Sequence, residues 1–128
     1  MQDRIRRDAL QAERWNRLHP VDKPRLPYVS TILGPDGGPI VAATDWMKSI
    51  PQMVAPWIAA PYVALGTDGF GRSDVRESLR SFFEIDPPAI AAATMAALAR
   101  TGEVTAKAAA KAIGDLGIDP DKVDPLAI

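Results

Sequence analysis

Hydrophobic and polar positions follow a helical rhythm in some stretches and an extended one in others, with glycine and proline marking the breaks between them. Asp3 to Leu18 contains neither breaker and mixes helix formers with charge, and His19-Pro20 stops it, which predicts one helix. Its apolar stripe of Ile5, Ala9 and Ala12 is narrow, with Trp15 and Leu18 turning away, so the helix is expected to lie on a surface. Val21 to Pro27, directly after Pro20, carries two prolines, each fixing φ and biasing its predecessor toward extended backbone, and reads as a connector. A short helix over Tyr28 to Leu33 is predicted before Gly34.

Gly34-Pro35-Asp36-Gly37-Gly38 is turn chemistry, and the β-branched apolar run Pro39 to Thr44 that follows predicts a buried strand. Trp46, Ile50, Met53, Val54 and Trp57 then recur at intervals of three and four, the spacing of one helix face, with Pro51 expected to kink or restart that helix. Large apolar residues at this spacing are ordinarily core. Tyr62 to Gly66 is a second strand, and strand, helix, strand in this order should pair parallel. After a loop, Val75, Leu79, Phe82 and Phe83 mark an amphipathic helix, with Asp74 and Glu77 at capping-box spacing. Two alanine-rich helices follow, Pro88 to Arg100 ended by Gly102 and Thr105 to Leu116 ended by Gly117. Asp119-Pro120 predicts one further turn.

The resulting class is α/β, with two recognisable strands and about five to six helices in one domain of 128 residues. Two strands flanked by that many helices leave sheet edges that natural domains pair or cover, so strands are expected to be missing upstream.

Composition narrows the function. Lys+Arg number 15 and Asp+Glu 16, so no excess positive charge drives nucleic-acid binding. The longest weakly polar stretch, Pro87 to Ala99, is shorter than the roughly 20 residues of a membrane span. The chain has no cysteine, which removes disulfides, thiolate metal sites and a cysteine nucleophile and fits a reducing cytoplasm, where the protein is expected. A single histidine, His19, stands before a proline with no Ser or Cys placed for activation, and is expected to end the first helix.

The densest candidate is Leu65 to Asp74, where three glycines lie between a strand end and a helix start. In parallel α/β sheets that position borders the ligand crevice, and the stretch nominates Gly66, Asp68, Gly69, Gly71, Arg72, Asp74 and Arg76 as a loop or interface site. The opposing reading is a sharp connection whose glycines adopt positive φ and whose Asp74 caps the next helix. Arg72 and Arg76, with Asp68, Asp74 and Glu77, also suggest an ion-pair cluster at a subunit contact. No residue is nominated as catalytic, cofactor-binding or metal-ligating: Thr67 precedes Asp68 where a thiamin-diphosphate signature would have Gly, and the only Asn, Asn16, lies upstream.

Taken together, Glu13-Arg14-Trp15-Asn16-Arg17-Leu18-His19-Pro20, Thr44-Asp45-Trp46-Met47-Lys48 and Leu65-Gly66-Thr67-Asp68-Gly69-Phe70-Gly71-Arg72-Ser73-Asp74 resemble the C-terminal domain of the homodimeric-type bacterial pyruvate dehydrogenases, with Arg76, Phe83-Glu84 and Gly102-Glu103 also in place. The resemblance implies a three-layer transketolase C-terminal-like domain truncated at its N-terminus. It further implies that the intact enzyme uses thiamin diphosphate and Mg2+ to decarboxylate pyruvate and passes the two-carbon unit to a lipoyl group. Its implied partners are the upstream domains, a homodimer mate and a dihydrolipoamide acetyltransferase. The family's cofactor and catalytic residues lie in earlier domains, so this chain alone is expected to be inactive. Two alternatives stay open: a stand-alone interaction or regulatory module binding a partner or an anion at the Gly66 to Asp74 loop, and a transketolase-type enzyme of other substrate. The Arg14 to Pro20 stretch weighs against the second.

Overall fold

Seventeen residues without a helix breaker become α1, Gln2–Leu18, in the computed structural model, which describes residues 1–127. Its end is set by His19, whose N–H donates to the Trp15 carbonyl at 2.9 Å. The proline connector then runs back along α1 and is fastened to it by side chains. Asn16 donates to the Arg25 carbonyl at 2.9 Å and accepts from the Arg25 N–H at 2.7 Å, and Asp8 accepts from the Tyr28 N–H at 2.7 Å. Helix α2, Tyr28–Ile32, starts there and packs on α1.

After a 3-10 turn at Pro35–Gly37, β1 (Ile40–Ala43) and β2 (Tyr62–Leu65) pair in parallel, Ile40 beside Tyr62 and Ala43 beside Leu65. Among the described residues they form one two-stranded sheet. The segment between them departs from the single helix its periodicity suggests. It forms a four-residue α3, Ser49–Gln52, and a 3-10 turn at Ala55–Trp57. Pro51 is tolerated because it sits in the first turn, where amides have no helical partner. Pro56 sets the limit: it has no N–H to offer the Gln52 carbonyl, and its ring would collide with that carbonyl. Starting at Ser49 also leaves Trp46 and Met47 outside the helix. Trp46 is 73% exposed, so the expectation that the whole stripe is core fails at its first member.

The rest of the chain is helical. Helix α4 (Arg76–Phe82) and α5 (Pro87–Arg100) are separated by a turn in which Glu84 takes φ +59°, a conformation unusual for a side chain larger than glycine. The stretch Arg76–Arg100 is by length and composition apolar enough to cross a membrane. The break at Glu84 divides it, however, into helices of 7 and 14 residues, neither long enough to span. Helix α6, Ala106–Asp115, packs on α5, which in turn lies against both strands. Gly102 (φ +80°) and Gly117 (φ +70°) follow α5 and α6 as the sequence predicts. Asp119 caps a single turn through the Asp121 N–H at 2.9 Å, and a 3-10 turn at Pro125–Ala127 follows.

The core is thin. Val29, Val54, Ile58 and Ala60 form its centre, with Ile5, Leu33, Ile40, Trp57 and Tyr62 packed around them. Half of the eight buried hydrophobic residues among those described are alanines. The accessible surface is 8947 Å². A folded monomer of 13.8 kDa is expected to expose only about 6,600 Å².

Candidate functional site

Both strands end at one place, and the segments that leave them are tied together. Beyond β1, the Thr44 N–H donates to the Leu65 carbonyl at 3.0 Å, and the Thr44 hydroxyl accepts from the Trp46 N–H at 3.1 Å. Beyond β2, Thr67 donates its N–H to the Trp46 carbonyl at 2.9 Å and its hydroxyl to the Asp45 carbonyl at 2.9 Å. Asp68 completes the lacing by accepting from the Lys48 N–H at 2.8 Å.

This close approach explains Gly66. A Cβ there would lie 2.5 Å from the Trp46 carbonyl oxygen and 2.8 Å from the Lys48 nitrogen, both backbone atoms with little room to yield. Gly69 is required for a different reason, its φ of +98°, and it turns beneath the Pro125 carbonyl and Leu126 of the C-terminal segment. Gly71 faces open space. The structure thus assigns two of the three glycines to chain geometry.

The charged residues nominated with them do not form one cluster. Arg72 lays its guanidinium 3.9 Å from the centre of the Phe82 ring, and Asp68 is committed to Lys48. Asp74 accepts from the adjacent Val75 N–H at 2.7 Å; Val75, in extended backbone, is the residue before α4, so the expected capping box with Glu77 does not form. Neither Arg72 nor Arg76 makes an ion pair among the described residues. The pair at this site is one the sequence did not suggest, Arg80 with Asp45 at 3.2 Å. Lys122 is a second unforeseen contributor. It donates to the Ser81 and Phe82 carbonyls at the end of α4 at 3.0 and 3.2 Å, beside Glu84 at 3.6 Å. A cation at a helix C-terminus satisfies orphan carbonyls and the local dipole. Asp45, two residues past β1, was visible as a position; its partner 35 residues on was not.

Between these elements lies a cleft of about 400 Å³, lined by Asp45, Thr67, Arg72, Asp74, Arg76 and Arg80 and walled by Leu79, Phe83 and Ile85. A smaller recess of about 210 Å³, which shares Arg72, Asp74 and Leu79 with it, is also lined by Ser73, Ser78 and Phe82. Trp46, Phe70 and Val75, all largely exposed, neighbour these residues in sequence.

The residues do not fit a thiamin diphosphate or its metal. The Asp68 carboxylate is held by a backbone amide, and both ends of the Asn16 amide are used on Arg25. Among the described residues no three His, Asp or Glu side chains converge as a metal site would require. His19 stacks on Trp15 at 4.4 Å with its Nδ1 2.8 Å from the Trp15 carbonyl, which assigns that nitrogen as the donor. Burial pushes the Tyr62 phenol above its ordinary pKa, and it donates to the Pro51 carbonyl at 2.7 Å.

Residues 6–86 match the family described as the transketolase-like TK C-terminal domain. The chain is 49% identical over 123 residues to the pyruvate dehydrogenase E1 component of Pseudomonas aeruginosa, 95% of this chain and 14% of that protein. It is 45% identical over 122 residues to that of Escherichia coli K12, covering 94% and 14%. For the protein of the same description from Mycolicibacterium smegmatis the figures are 37% over 115 residues, 90% and 12%. The chain therefore spans about one-seventh of the length of these relatives.

Proposed function

Because the chain belongs to the transketolase-like C-terminal domain family, we propose that it serves as the C-terminal scaffold of a pyruvate dehydrogenase E1-type oxidoreductase. In this reading the rest of the enzyme holds thiamin diphosphate and Mg2+, decarboxylates pyruvate and passes the acetyl unit to lipoyl groups of an acetyltransferase partner in the cytoplasm. The present chain contributes packing surface, supports a homodimer and performs no chemical step.

The observation that carries this reading is the surface excess. The chain exposes about a third more area than a self-sufficient monomer of its mass, roughly 2,300 Å². That exceeds the roughly 800 Å² each partner contributes to a standard interface and falls in the range of obligate assemblies. The exposed surface includes large apolar side chains, among them Tyr28, Ile32, Trp46, Met47 and Phe70, while the buried core is largely alanine and valine. The identity to E1 components supports the choice of enzyme.

The test is co-elution on a sizing column with an E1 polypeptide that lacks the stretch this chain resembles. A stable one-to-one complex is expected. Separate elution of two well-folded components would remove the proposal.

A further inference from the structure

The cleft at the strand ends has a composition that the scaffold reading does not use. Three arginines, Arg72, Arg76 and Arg80, line it with two acidic residues, Asp45 and Asp74, so the charge of its lining is positive within a chain whose net charge is -1. Arg80 is held by Asp45 through one contact of 3.2 Å, and Arg72 is braced flat against Phe82, which leaves the edge of its guanidinium to donate. Arg76 has no ion-pair partner among the described residues. Leu79, Phe83 and the buried Ile85 add apolar lining to the charged residues. Asp45 and Thr67 in the lining lie just past the C-terminal ends of the two parallel strands, where open α/β sheets place their ligands. A volume of about 400 Å³ suits a ligand of roughly ten to twenty heavy atoms.

We infer that this cleft binds a small organic oxyanion, a carboxylate or phosphate ester on a short apolar body, with Arg76 and Arg72 forking the anionic head and Phe83 and Ile85 receiving the body. Planar guanidinium groups bind such heads in a bidentate manner, which a lone charge on a flexible stem does not reproduce. The anchoring of Arg72 and Arg80 before any ligand arrives reduces the ordering that binding would require. The site goes beyond the scaffold role and is independent of it. Loss of enzyme assembly leaves the cleft intact, and loss of anion binding leaves the packing surfaces intact.

The experiment is a titration of the isotopically labelled 128-residue chain, followed by amide chemical shifts. Phenyl phosphate and benzoate serve as probes of the two head groups, with inorganic phosphate and benzyl alcohol as controls for head and body alone. Shifts are expected at Thr67 to Arg80 and around Phe83, saturating near about 1 mM. The phenyl compound that fits better should bind at least about tenfold more tightly than either control. Arg76→Ala should weaken that binding at least about tenfold, and Arg76→Lys should recover only part of it. Arg100→Ala, at the far end of α5, should titrate as the parent does and serves as the control for overall charge. Unchanged binding in Arg76→Ala, equal loss in Arg100→Ala, or inorganic phosphate binding as well as phenyl phosphate would overturn the inference.

Discussion

Replacing Gly66 by alanine tests the lacing of the two strand ends. The added methyl would stand 2.5 Å from the Trp46 carbonyl oxygen, 2.8 Å from the Lys48 nitrogen and 3.1 Å from the Met47 carbonyl carbon. All three are main-chain atoms, so relief requires the 44–48 segment and the 65–68 segment to separate. That movement strains three hydrogen bonds at once: Thr67 N–H to Trp46, Thr67 hydroxyl to Asp45, and Lys48 N–H to Asp68. With each bond contributing about 1 kcal/mol net, loss of two to three costs about 2–3 kcal/mol. Amide hydrogen exchange reads the effect locally and does not require the chain to unfold in two states. The Thr67 and Lys48 amides should exchange roughly 30- to 150-fold faster than in the parent, while amides in α6 remain unchanged. Gly71→Ala is the matched control, since a Cβ there meets nothing within 4 Å. Unaltered protection in Gly66→Ala, or equal loss in Gly71→Ala, would show that the segments are not in contact as described.

Three further predictions follow from separate parts of the fold. Asp86 caps α5 through the Ala89 N–H at 3.0 Å, so Asp86→Ala should cost about 1 kcal/mol and speed exchange in the first turn of α5, whereas Asp74→Ala, whose exposed carboxylate bonds only the next amide, should change stability by less than about 0.5 kcal/mol. Burial raises the Tyr62 pKa, so in a Tyr28→Phe variant, where Tyr62 is the only phenol left, the absorbance titration should have its midpoint above the ordinary value of about 10. The folded state then holds its proton longer than the unfolded chain. Stability from this group is therefore intact below about pH 10 and declines as pH rises from there through the folded pKa, a dependence that Tyr62→Phe should remove. The exposed apolar surface predicts self-association: light scattering and thermal melts of the isolated chain should depend on concentration, and a sharp transition independent of concentration would contradict the surface argument.

Much of the architecture is legible because its signals are local. Helices α5 and α6 end where Gly102 and Gly117 supply positive φ, and the two strands are apolar runs bracketed by turn residues. The Trp46 to Trp57 segment misleads because its three-and-four spacing is genuine, yet Pro56 forbids the hydrogen bond that a continuous helix needs at Gln52. A periodic pattern states which side chains could share a face, and the backbone decides whether a face exists. At the candidate site the glycines were legible and the charges were not. Gly66 and Gly69 are constrained by backbone approach and φ, properties of the segment itself. Asp68, Arg72 and Arg80 instead find Lys48, Phe82 and Asp45, partners fixed only once β1, β2 and α4 come together. Asn16 shows the same limit, since its role as a bidentate clasp on Arg25 depends on a proline connector folding back along α1.

The proposed role is to complete an enzyme whose chemical steps take place elsewhere in the assembly. It is tested most directly by measuring pyruvate-dependent acetylation of a lipoyl domain, with thiamin diphosphate and Mg2+, for three samples: the chain alone, an E1 polypeptide lacking the corresponding stretch, and the two mixed. The account predicts no turnover from the chain alone, little from the shortened E1, and a clear gain on mixing. Pyruvate consumption by the 128-residue chain by itself, or a mixture no more active than the shortened E1, would contradict it.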